Sequence, residues 1–166
     1  LSDATPYTYM EDAVRGVLIG DAVLFVDGFA GALKIPDKGY PKMVVSESDT
    51  EKVVRGSNES FTESEKANTA LIRKRIRNTG LKVKEMQVGV RSFTNVAIVY
   101  IEDLVQPGLV EEVERRFLEY EVDGVMDSGV LEQLAEEAWY SPFPQFHSTR
   151  RPDRAAMSVL DGKVVV

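Results

Sequence analysis

The residues of this chain that could do chemistry are few and scattered. His147, its single histidine, could act as a general base, but it follows a proline-rich segment and no Gly-x-Ser-x-Gly elbow accompanies it. It is read as structural. Three Asp-Gly dipeptides, Asp27-Gly28, Asp123-Gly124 and Asp161-Gly162, offer carboxylates for metal or acid-base work. Asp-Gly is also a common turn dipeptide, and none of the three has the spacing of a calcium loop. With no cysteine and one histidine, thiolate metal sites, cysteine nucleophiles and multi-histidine centres are excluded. No phosphate loop, dinucleotide fingerprint or kinase signature is present. The expectation is a protein without catalytic residues, metal or cofactor.

Charge clusters are the next candidates. The 166 residues carry 20 Lys plus Arg against 27 Asp plus Glu, a net charge of -7. That balance argues against nucleic acid or an anionic lipid surface as a partner, since phosphate binding needs clustered positive charge. Arg73-Lys74-Arg75, with Arg77, falls near the end of an expected helix, where positive charge complements the helix dipole. Arg150-Arg151 with Arg154 surrounds Pro152-Asp153 at the entry to another helix. There Asp153 suits the N-terminus, and the arginines could meet acidic loops or a partner.

One segment could bind an anion. Arg55 to Glu63 places Gly56 in a loop ahead of a helix N-terminus, whose free N–H groups can cradle a phosphate or carboxylate. Glu59 and Glu63 put negative charge beside those donors, and Thr62 can satisfy them as an N-cap. The segment is therefore expected to be a structural junction, with Arg55 paired to acidic groups and Phe61 buried as a hydrophobic staple.

The elements that would hold these residues follow from periodicity and punctuation. Met10, Ala13, Val14, Val17 and Leu18 recur at helical spacing over Tyr9 to Ile19, and Gly20 supplies a stop. Ala22 to Val26 and Ala30 to Ile35 flank the turn at Asp27-Gly28 and read as a hairpin. Pro36, Gly39 and Pro41 break the chain, and an acidic loop from Ser46 leads to a short strand at Lys52 to Val54. A helix is expected to begin at Thr62, with Glu65 at the capping-box position, Leu71, Ile72 and Ile76 inward, and Gly80 beyond its end. Lys82 to Val90 and Asn95 to Ile101 read as strands, and Leu109, Val110, Val113 and Phe117 as one face of a helix that opens near Pro107. Then come a short strand Val122 to Met126, a helix Ser128 to Ala138, a strand Gln145 to Ser148, a helix Pro152 to Leu160 and a strand Lys163 to Val166.

The fold class read from this pattern is mixed α/β. An α+β subdomain over residues 1–80 precedes an α/β subdomain over 81–166, with the link near Thr79 to Leu81. Alternating strands and helices in the second half favour crossovers and an at least partly parallel sheet. Val17 to Val23 echoes Val159 to Val165, each closing a helix with glycine and opening a strand. Duplication and convergence on ordinary capping both explain the echo. If it is a duplication, two subdomains face each other across a cleft, where any small ligand is expected to sit. No run approaches the roughly 20 apolar residues of a membrane helix. Because the sequence opens on Leu1 and closes on Val164-Val165-Val166 as if in mid-strand, it reads as part of a longer protein.

Read in order, several short motifs resemble a known family. Arg55-Gly56-Ser57-Asn58-Glu59-Ser60-Phe61-Thr62-Glu63, followed by Asn68-Thr69-Ala70-Leu71-Ile72-Arg73-Lys74-Arg75-Ile76, is similar to a segment in the N-terminal domain of GerA-type spore germinant receptor A subunits. The usual pattern there is Arg-Gly-Pro-Arg-Glu-Gly-Phe-Thr-Glu and a Leu-Ile-Arg-Arg-Arg-Ile helix. Met86-Gln87-Val88-Gly89 with Arg91-Ser92, Val99-Tyr100-Ile101, Val122-Asp123-Gly124 with Asp127-Ser128-Gly129, Ser141-Pro142-Phe143-Pro144-Gln145 and Arg151-Pro152-Asp153 continue the similarity. Each motif alone is weak, and their order is specific. Departures occur at Ser57, Asn58, Ser60, Phe93, Asn95 and Arg150, so ion pairs of the family pattern do not transfer to those positions. The Ser-Pro-Phe-Pro-Gln segment resembles receptor A subunits more than the related stage V sporulation protein AF.

The resemblance implies a non-enzymatic domain on the core side of the spore inner membrane, ahead of a membrane-spanning part outside this sequence. Its implied partners in nutrient sensing are receptor B and C subunits, with other A subunits as further candidates. It also implies a likeness to two-lobed substrate-binding proteins, whose cleft could take a small nutrient, while pointing to the B subunit as the main germinant site; the lack of a cofactor motif makes any binding here weak. The residues the resemblance marks for interaction or structure are Arg55, Gly56, Glu59, Phe61, Glu63, Asn68, Arg73, Arg75, Arg91, Pro142, Phe143, Pro144, Arg151 and Asp153. A hydrolytic domain acting through His147, and a pure scaffold without ligands, are the readings from other classes.

Overall fold

A computed structural model describes residues 5–35, 59–119, 122–136 and 145–166. The first of these stretches folds on itself. Strand β1 (Thr5–Tyr7) precedes helix α1 (Met10–Ile19), and strands β2 (Ala22–Phe25) and β3 (Ala32–Ile35) complete an antiparallel sheet in the order β1-β3-β2. The expected hairpin is present, with Leu24 opposite Leu33, and β1 adds a third strand on the far side of β3. Gly20 ends α1 in the left-handed conformation at φ 98, and its N–H meets the carbonyls of Gly16 and Val17. Asp21 is buried and its carboxylate meets Lys34 Nζ on β3 at 3.1 Å.

The remaining described residues build a sheet with helices on both faces. Helix α2 (Glu65–Arg75) is followed by strands β4 (Leu81–Val88) and β5 (Thr94–Ile101), which pair antiparallel from Leu81↔Ile101 to Val88↔Thr94. Helices α3 (Leu109–Glu119), α4 (Ser128–Ala135) and α5 (Pro152–Leu160) follow. Side chains alternate across a strand, so each face of the hairpin serves a different core. Val99 and Ile101 join Ile72 and Ile76 beside α2, and Ala155, Ala156 and Val159 of α5. Val96 and Ile98 point the other way, onto Val110 and Phe117 of α3 and Ala135 of α4.

The expected partly parallel sheet is not formed among the described residues, where every pairing is antiparallel. β4 and β5 are joined by a tight turn, which permits only antiparallel pairing, and the helices that follow cover the two faces without linking adjacent parallel strands. Val122 to Met126 is not a strand. Its backbone is held at the β4–β5 turn, with Val90 N–H donating to the Val122 carbonyl and Arg91 N–H to that of Asp123, both at 2.9 Å. Gln145 to Ser148 is also non-strand, and Lys163 to Val166 contributes one antiparallel bridge, Val165↔Val99. The strand expected at Lys52 to Val54 lies outside the described residues.

Helix α2 begins later than expected. Its N-cap is Ser64, whose Oγ accepts from Ala67 N–H, so Glu65 is the first helical residue and not the third. Thr62 is diverted by Asn68, as described below. The helix also bears on the link expected near residue 80. Although α2 precedes that point, its inward residues Ile72 and Ile76 pack with β5 and α5.

Candidate functional site

The segment Glu59 to Thr62 is held at three points. The Glu59 carboxylate lies 2.7 Å from Lys74 Nζ and 2.6 Å from Arg75 Nη2, in the last turn of α2. These cations hold the Glu59 carboxyl below the ordinary glutamate range, Lys74 contributing most. Arg75 also donates from Nη1 to the Leu71 carbonyl, one turn back in the same helix, at 3.1 Å. Buried Ser60 donates its hydroxyl to the Arg150 carbonyl at 3.2 Å, and Phe61 N–H donates to the same oxygen at 2.9 Å. Asn68 clasps Thr62 in both directions. Its Oδ1 accepts from Thr62 N–H at 2.8 Å, and its Nδ2 donates to the Thr62 carbonyl at 2.7 Å.

The described part of the segment expected to form a junction is thus tied to α2 and to the Arg150 carbonyl. Phe61 is partly buried against the core shared by α2, β5 and α5. Thr62 does not cap the helix, because its hydroxyl accepts from Ser64 N–H and donates to Asn68 Oδ1, and Ser64 takes the cap position. Arg73 and Glu63 are exposed and stand apart from the clamp. Arg55 and Gly56, expected in the junction, lie outside the described residues, as do Pro142, Phe143 and Pro144.

The remaining candidates are dispersed. Arg151 forms a two-point pair with Asp153 at the start of α5, which lowers the Asp153 carboxyl below its usual value. Pro152 fills the first turn of that helix, where its missing N–H leaves no bond unmade. Arg91 meets Asp123 at 3.3 Å with both side chains largely in solvent. His147 is exposed. No group of three or more metal-ligating side chains occurs among the described residues.

Sequence reasoning missed a groove. It opens between α2 and the start of α4 and encloses about 300 Å³. Phe61, Asn68 and Ile72 line one wall, Val125 and Leu131 the other, and β5 runs along the floor toward Val165. The charged residues lining it are Glu65 and Asp127, both acidic. Asp127 is engaged as the N-cap of α4, accepting from Val130 N–H at 3.2 Å. Glu65 Oε1 is buried and has no hydrogen-bond partner among the described residues. The residue pattern carried no signal for the groove, since its walls come from segments far apart in the chain.

The family model described as Bacillus/Clostridium GerA spore germination protein matches residues 1–166. The chain belongs to this family. It is 42% identical over 158 residues to stage V sporulation protein AF of Bacillus subtilis, covering 95% of this chain and 32% of that protein. It is 36% identical over 166 residues to the membrane protein YfkQ of the same organism, covering 100% and 32% respectively. The GerA-family chain thus spans about a third of the length of these curated relatives. Its fold matches the crystal structure of the N-terminal domain of the A subunit of the Bacillus megaterium spore germinant receptor GerK3, with a TM-score of 0.69 and 27% identity, over 98% of this chain and 57% of that one. No described helix is long and apolar enough to cross a membrane.

Proposed function

We propose that this chain is an N-terminal domain of a spore germinant receptor A subunit and that it serves receptor assembly and signalling without catalysing a reaction. The observation that carries the proposal is the match along the whole length to both the family and the GerK3 A-subunit domain. In this reading the parent lies in the spore inner membrane with this domain on the core side, and receptor B and C subunits are its partners. A division into two lobes fits best with the boundary ahead of Glu59, because α2 packs with β5 and α5. The clamp at Glu59, Ser60 and Asn68, with Arg55 beside it in sequence, transmits rather than binds. Its own side chains satisfy the groups that a ligand would need.

Replacing Glu59 by Lys in the intact receptor tests this. Germination should slow or receptor abundance fall, while the nutrient concentration giving half-maximal response stays unchanged. A steep rise in that concentration at normal abundance and normal maximal response would mark the segment as a binding element instead. The 42% identity to stage V sporulation protein AF supports a second reading, in which the parent serves germination without belonging to one receptor. Deleting the gene separates the two. Loss of the response to one set of nutrients supports the receptor subunit, and an equal decline for all nutrients supports the alternative.

A further inference from the structure

The floor of the groove is a strand edge with its hydrogen bonds unmade. Val99 and Val165 exchange two backbone bonds, Val99 N–H to the Val165 carbonyl at 2.7 Å and Val165 N–H to the Val99 carbonyl at 3.0 Å. The backbone polar groups of Val99 therefore point away from β4. In an antiparallel strand these directions alternate residue by residue, so the N–H and C=O groups of Ala97 and Asn95 face the same way. Nothing among the described residues pairs with them there. Ala97 is only 8% exposed, whereas Asn95 at the other end is exposed, and backbone groups buried like those of Ala97 are nearly always bonded.

We propose that the groove seats the residues that follow Val166 in the full-length protein, as a strand continuing the register begun at Val165. Two residues beyond Val165 the added strand comes opposite Ala97, and after two more it comes opposite Asn95. Each of these positions makes two backbone bonds, four in all. Side chains on the parity of Val165 face α2, where a hydrogen-bond donor meets the orphaned Glu65 Oε1. Side chains on the parity of Val166 face Val125 and Leu131 and are apolar.

Length and charge favour this occupant. The relatives are about three times as long as the stretch they share with this chain, so family proteins have further chain to supply. A small nutrient suits the groove poorly. Its charged lining residues are acidic, which opposes a carboxylate, and its free backbone groups recur at the two-residue interval of a strand rather than converging on a point. The proposal does not depend on which germination protein the parent is.

Two measurements on the full-length protein decide it. Residue-resolved hydrogen exchange should show the Ala97 and Asn95 amides protected as well as that of Val99, about 100-fold or more beyond an exposed edge. The sequence described here has no cysteine, so Ala97→Cys can be combined with a cysteine one place after Val166. Mild oxidation should then form a disulfide, while a cysteine two places after Val166 should fail to pair, because its side chain lies on the other face. Free exchange at Ala97 and Asn95 beside a protected Val99 would overturn the proposal. So would protection that appears only when a nutrient, a second copy or another receptor subunit is added, and so would cross-linking indifferent to register.

Discussion

Glu59 shows how a residue that looked like an anion repeller works as a tie. Its carboxyl is stabilised in the charged form by Lys74 and Arg75. A carboxyl whose folded value lies below its unfolded one contributes stability above the unfolded value and loses it as pH falls through the folded value. Glu112 follows the same rule, pushed down to about 2 by Arg115 and Arg116. Stability should therefore decline as pH drops below about 4.5, which urea denaturation of the chain between pH 7 and pH 3 would measure. Glu59→Gln should cost about 1 kcal/mol at pH 7, because its partners are partly in solvent, and should flatten the acid decline. Sequence alone brought Glu59, Phe61 and Asn68 into one segment. It could not pair Glu59 with Lys74 and Arg75, because that contact depends on the chain folding back along α2.

At the scale of elements, the helix ends and the turn after β4 offer the clearest tests. Gly89 sits at φ 91, and a Cβ there would lie 2.3 Å from Ser92 Oγ. Ser92 itself accepts from Val125 N–H and thereby fixes the Val122 to Met126 segment. Gly89→Ala should lower stability by about 2 kcal/mol, against about 1 for Gly28→Ala, which has similar φ and open space. Asp127→Ala removes the α4 cap and should cost about 1 kcal/mol. Thermal melts of the three variants give the ranking. The hairpins and most helices were legible because periodicity and glycine punctuation are local. The Val122 to Met126 segment was not, since an apolar run buried by loop bonds has the same composition as one buried in a ladder. Likewise Ser64 displaced Thr62 as cap through Asn68, six residues away from Thr62.

For the whole molecule, mixed α/β character was legible and the parallel sheet was not. Strands alternating with helices suggest crossovers, yet here the helices cover a hairpin, a choice made by tertiary packing. The echo of Val17 to Val23 in Val159 to Val165 ends in Gly20 and Gly162, both left-handed, at φ 98 and 80. Ordinary capping suffices for that much. The two hydrophobic clusters draw no residue from 5–35, so Ile72→Ala should disturb amide shifts near Val99 and Val159 while those of Ala13 and Ala32 hold still. Heteronuclear NMR spectra of the variant would show it, and widespread shifts in both sets would refute the two-unit reading. One strand has a further bearing. Because β5 gives alternate side chains to the α2/α5 layer and to the α3/α4 layer, neither layer can melt while the other keeps a complete wall. Heat should therefore take the β4–β5 hairpin and the helices on its two faces apart in a single step, with calorimetric and van't Hoff enthalpies in agreement.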